Sequence, residues 1–118
     1  MILVDTSVWI DHLSRGSDLL RKLLLDQEVL VHPFVAGELS LGSIRNRSEV
    51  LGLLAQLPSA PVADHAEVVS LVEKKHLAGT GIGWIDAHLI ASTMLANGKL
   101  LTTDRPLLKA IQSLGLGA

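Results

Sequence analysis

The sequence contains no cysteine, which excludes disulfides and thiolate-bound metals. It has no tyrosine, one phenylalanine and two tryptophans, too few rings for the stacking platforms of single-strand-binding folds. No apolar stretch reaches the roughly 18 residues that a membrane-spanning helix needs. The opening residues MILVDTSVW carry neither a basic leader nor a small-residue cleavage pattern, so a signal peptide is not expected. Neither sign of charge dominates: 10 basic and 12 acidic side chains give a net charge of −2. Non-specific nucleic-acid affinity comes mainly from Lys and Arg on phosphates, so this balance argues weakly against such a partner, and more weakly still if several acids are engaged by cations. No internal repeat, low-complexity segment or linker is evident. A cytoplasmic location is compatible with all of this.

What is present is a chain of 118 residues, 48% hydrophobic. That length suits one domain, able to bury about two-thirds of the surface its unfolded form exposes. Ile2-Leu3-Val4 and Val29-Leu30-Val31 read as strands buried on both faces. Lys99–Thr102 reads as a third strand, and Pro61–Ala63 as a brief one. Helices are expected from Thr6 or Ser7 to Leu13, from a Ser17 cap through Leu24, from Pro33 to Gly42, and from Ser48 to Leu57. Further helices are expected after Asp64, where Glu67 completes a capping-box pattern, from Trp84 to Ala96, and from Pro106 to Ser113. Leu19, Leu20, Leu23 and Leu24 share helical spacing and read as core. Strands alternating with helices predict a parallel sheet covered on both faces.

Four carboxylates stand out against this pattern. Asp5 closes MILVD, Glu38 interrupts PFVAGELSLG, Asp86 sits within GIGWIDAHLIAS, and Asp104 closes KLLTTD. An embedded charge is costly unless it is paired or holds a metal, and no Lys or Arg is equally embedded. Asp5 and Asp104 end predicted strands, where ligands of open α/β sheets collect. Glu38 lies early in the helix after the second strand, and Asp86 in the first turn of its helix, where the dipole favours an anion. Two carboxylates ~4 Å apart repel by about 4 kcal/mol at an effective dielectric of about 20. Gathering four therefore calls for protons or a cation. All-oxygen ligation selects Mg²⁺ or Mn²⁺, with water positions open for hydrolysis.

The same segments, MILVDTSVWID, the embedded Glu38, GIGWIDAHLIAS and LLTTDRPL, resemble PIN-domain ribonucleases. More narrowly they resemble the VapC-type toxins of bacterial toxin–antitoxin pairs. The likeness runs along nearly the whole chain in the family's order. It implies a three-layer α/β/α sandwich with a mainly parallel central sheet, a Mg²⁺ cofactor for which Mn²⁺ substitutes, and endonucleolytic cleavage of RNA. It also implies a homodimer inhibited by a small cognate antitoxin. The family's acidic quartet falls on Asp5, Glu38, Asp86 and Asp104, its small hydroxyl on Ser7 and the Thr of its T-x-D element on Thr102. One departure concerns the last strand, for which the GLGA ending offers little material.

Plainer readings compete. Asp5 and Ser7 also fit helix caps, and Thr102 an ordinary strand residue. His88 faces another side of its helix than Asp86, as a packing residue would. No histidine spacing matches a zinc motif, and GTGIG matches no nucleotide fingerprint. Arg45, Arg47 and Arg105 are candidates for RNA phosphates or plain solubilising charge. At the level of function, the rivals are a non-catalytic RNA- or metal-binding scaffold and a phosphatase with Asp5 as nucleophile. The second lacks the acid it would need two residues on, where Ser7 stands.

Overall fold

The computed structural model describes residues 1–118. Three parallel strands, β1 (Ile2–Val4), β2 (Val29–Leu30) and β3 (Lys99–Leu101), form a sheet in the order β2-β1-β3. Seven helices surround it: α1 (Thr6–Arg15), α2 (Asp18–Leu25), α3 (Pro33–Leu41), α4 (Arg47–Gln56), α5 (His65–Lys74), α6 (Trp84–Leu95) and α7 (Arg105–Ser113). The result is the expected α/β/α sandwich. Leu3, Val4 and Leu100 are all but inaccessible, as strands covered on both faces require.

Each edge of the sheet gains one further bridge. Val31 pairs in parallel with Ser59, and Leu100 with Gly117. The first places the outer segment at Ser59, not at the expected Pro61–Ala63, because Val31 exchanges hydrogen bonds with Pro58 and Ala60. The second supplies the last edge after all. Gly115, at φ +71°, closes α7 while the Leu116 N–H reaches back to the Ile111 carbonyl at 2.8 Å. The chain then runs beside β3, the Leu100 N–H donating to the Leu116 carbonyl and the Ala118 N–H to the Leu100 carbonyl. Four residues suffice because one bridge needs only two bonds.

Other sequence expectations hold closely. Ser17 caps α2, Pro33 opens α3, and Asp64 with Glu67 forms a reciprocal capping box on α5. In α6, seven consecutive residues from Ala87 to Thr93 are buried, so this helix is central, packed on β1 and β3 with α5 against it. The leucine row on α2 is less buried than its spacing predicts. Leu20 is in the core, whereas Leu19 and Leu25 face solvent. At Gly98 an added Cβ would stand 2.6 Å from the Met1 carbonyl oxygen, so only glycine lets β3 begin this close to β1.

This topology fixes where chemistry can gather. The chain builds outward from β1 through β2 to Ser59, then returns to place β3 on the other side of β1. The direction reverses between β1 and β3, and beyond their carboxyl ends lie Asp5 and Asp104.

Candidate active site

Asp5 occupies the N-cap position of α1 but makes no capping bond. Its Oδ2 instead accepts from Ser7 Oγ and Thr102 Oγ1, each at 2.8 Å. These hydroxyls are held in turn by backbone. The Thr103 N–H donates to Ser7 Oγ at 3.2 Å and the Asp104 N–H to Thr102 Oγ1 at 3.0 Å. Asp5, 7% exposed, is thus clasped between the start of α1 and the end of β3. The cap reading considered for Asp5 belongs to Asp104, whose Oδ2 accepts from the Leu107 N–H at 3.1 Å. Asp86 is half-buried in the first turn of α6, its Oδ2 accepting from the Gly83 N–H at 2.8 Å. Glu38, on α3, accepts from Thr6 Oγ1 at 3.0 Å. Thr6 had no functional reading from sequence beyond capping; its place directly after Asp5 was the available signal.

The four acids are not equally embedded. Asp5 is buried and Asp86 partly so, while Glu38 and Asp104 are exposed. Nor do three or more acidic or histidine side chains close on one point in ligating geometry. They nevertheless share one electrostatic neighbourhood. Burial raises the Asp86 carboxyl above the usual carboxylate value, the Gly83 N–H opposes the shift, and the charges of Asp5, Asp104 and Glu38 add to it. Like charges at such range settle onto separate donors. Each of the four has one oxygen on a protein donor and leaves its second oxygen without a protein hydrogen bond.

No cationic side chain offsets this charge. The three ion pairs, Arg15–Asp11, Arg21–Asp18 and Lys22–Asp26, are local pairs on α1 and α2. An all-oxygen donor set with spare lone pairs, no ion-pair partner and mutual repulsion fits a hard divalent cation.

The arginines divide. Arg47 Nε donates to the Ser40 carbonyl at 2.9 Å, tying α4 to the end of α3. Arg45 lines a groove of ≈ 400 Å³ together with Glu38, Ile10 and Ile44. Arg105 is exposed beside Asp104 and forms no ion pair. A larger hollow of ≈ 570 Å³ between α5 and α6 contains none of the four acids.

Two histidines lie beneath the site. His88 is buried, as the packing reading had it, between Phe34 and Trp84. His32 is wholly buried at the N-cap of α3, its Nδ1 accepting from the Phe34 N–H at 2.9 Å. Burial, with a lesser contribution from His88, lowers the His32 pKa from the usual 6.5 to about 4. A depressed imidazole pKa means that the unfolded chain takes up the proton first. His32 therefore contributes full stability above pH 6.5, and that contribution is lost as pH falls towards about 4. His32→Asn, which keeps a capping acceptor but cannot titrate there, is expected to flatten the thermal midpoint across this window. An unchanged pH slope would remove His32 as its source.

The PIN domain family model matches residues 2–111. Over 110 residues the chain is 50% identical to Ribonuclease VapC32 of Mycobacterium tuberculosis, covering 93% of this chain and 89% of the relative. The crystal structure of PAE2754 from Pyrobaculum aerophilum superposes with a TM-score of 0.63 at 18% identity, over 96% of this chain and 85% of that one. FitAcB from Neisseria gonorrhoeae gives the same TM-score and identity, over 95% and 94%. These two structural likenesses bear on the fold alone.

Proposed function

The chain belongs to the PIN-domain family, and from that premise we propose that it is a divalent-cation-dependent endoribonuclease, the toxin of a VapC-type toxin–antitoxin pair. The observation that carries the reading is the set Asp5, Glu38, Asp86 and Asp104, electrostatically coupled at the sheet's reversal point without a cationic side chain. Asp5, Asp86 and Asp104 would hold Mg²⁺, or Mn²⁺ in its place, with Glu38 as a further ligand or as the group that orients water. When bound, such a cation neutralises phosphodiester charge and makes water a stronger nucleophile.

The remaining work falls to the chain's own groups. Ser7 and Thr102 donate to one oxygen of Asp5 and so aim the other outward. The Gly83 N–H and the Leu107 N–H do the same for Asp86 and Asp104. Thr6 fixes Glu38 at the rim, where its exposed carboxylate can accept a proton from water. Arg45 and Arg105 are placed to meet RNA phosphates; Arg47, engaged with Ser40, is the weakest of the three candidates. The natural partners of such a protein are RNA, a small antitoxin and a second copy of the chain, in the cytoplasm. No helix is long and apolar enough to cross a membrane.

The test is cleavage of total cellular RNA with Mg²⁺ or Mn²⁺, with an EDTA control and Asp5→Asn. Cleavage lost in both controls is expected. Undiminished cleavage in EDTA, or by a well-folded Asp5→Asn, would contradict the reading.

A further inference from the structure

Trp9 is 4% exposed and belongs to the core. The other two aromatic residues are half-exposed, Phe34 at 37% and Trp84 at 44%. Both stand on the helices that carry the outer acids. Phe34 lies one turn before Glu38 on α3, and Trp84 shares the first turn of α6 with Asp86. They are joined by a ribbon of rings. Phe34 meets His88 with centroids 4.9 Å apart, His88 meets Trp84 at 5.1 Å, and Trp84 meets His65 at 5.2 Å. His88 lies buried beneath, so Trp84 is braced by an imidazole on each side while nearly half its surface stays open.

We propose that Trp84, braced by His65 and His88, is a stacking platform for an unpaired RNA base next to the scissile phosphate. The proposal rests on the nuclease reading above and names its substrate form, a single-stranded segment. Three observations favour this occupant. First, an exposed indole is seldom held rigid unless it packs on something, and a pre-ordered ring loses little entropy on stacking. Second, the two open rings flank the two outer acids, so a strand laid over the carboxylates passes a ring. Third, the site has few positive charges: Arg45 and Arg105 are near it, and the net charge is −2. With so small a phosphate contribution, affinity must come from contacts that do not depend on charge. Stacking is such a contact, and it requires the base to be unpaired. The scarcity of aromatic residues still excludes a broad platform; the structure concentrates the two open rings beside the acids.

The experiment pairs kinetics with fluorescence. Trp84→Ala is expected to raise KM for an unstructured oligoribonucleotide by roughly tenfold, with kcat little changed. Trp84→Phe should restore most of the loss, and the effect should persist at high salt, unlike the loss from Arg105→Ala. In Asp5→Asn, which binds without cleaving, the same oligonucleotide should quench tryptophan emission, and Trp84→Phe in that background should abolish the quench. RNA binding detected by anisotropy without quenching, and an unchanged KM in Trp84→Ala, would overturn the proposal while leaving the nuclease reading intact. Emission that responds only to an antitoxin protein would also overturn it. No RNA binding or cleavage at all would overturn both.

Discussion

Asp86→Asn should do two opposite things: reduce RNA cleavage by on the order of 10³-fold and raise the thermal midpoint in EDTA by about 4 °C, corresponding to roughly 1 kcal/mol. Asp86 is held half-buried within the field of Asp5, Asp104 and Glu38, and both burial and these charges raise its pKa above the usual value. A raised carboxylate pKa means that the folded protein keeps its proton at a pH where the unfolded chain has released it. The wild type is therefore penalised as pH rises through the folded value, and the penalty is relieved as pH falls back below it. Asparagine removes the charge yet keeps an oxygen for the Gly83 N–H. The stability gain should grow from mildly acidic to neutral pH. Scanning calorimetry from pH 4 to 7.5, run beside the cleavage assay, checks both halves. A midpoint lowered at neutral pH would show that Asp86 is a structural acid with a favourable partner.

Leu100→Ala carries the largest expected loss of stability, about 3 kcal/mol or more, or roughly 10 °C in the midpoint. Leu100 is completely buried, is registered against Leu3, and exchanges the bonds that hold the final edge at Gly117. It thus joins the centre of the sheet to its last bridge, two residues before the Thr102 hydroxyl that positions Asp5. Denaturant unfolding should show the lowered midpoint. Cleavage per folded molecule, measured well below that midpoint, should survive, because no functional side chain is removed. Stability within about 1 kcal/mol of wild type would mean that β3 is less central to the core than its burial implies.

The sequence told more about the sheet than about the site's burial. Unbroken apolar runs at Ile2–Val4 and Val29–Val31 identify covered strands, and cap residues such as Ser17 and Asp64 mark helix starts because their side chains bond locally. Those signals are short-range, so they survive without knowledge of the fold. The edge at Ser59 and the bridge at Gly117 are set instead by hydrogen bonds to strands remote in sequence, and no local pattern encodes them. For the same reason, apolar neighbours overstate the burial of Glu38 and Asp104. A flanking Leu or Val shows that the element has a buried face, but the acid itself can point out of it. Asp5 is the one acid whose burial and sequence context agree, since it directly follows a fully covered strand. The clasp from Ser7 and Thr102 spans almost the whole chain; residue type and spacing named its members, and only the fold shows that they meet at one oxygen.

The central claim is that these dispersed acids together hold a divalent cation. Titration calorimetry with MnCl₂ at mildly acidic pH, on wild type, Asp5→Asn and Asp86→Asn, tests it most directly. Saturable uptake is predicted for the wild type, with proton release as the raised Asp86 carboxyl gives up its proton, and at least tenfold weaker uptake in each variant. An absence of saturable uptake by the folded wild-type chain, or uptake indifferent to the loss of Asp5 and Asp86, would contradict the claim.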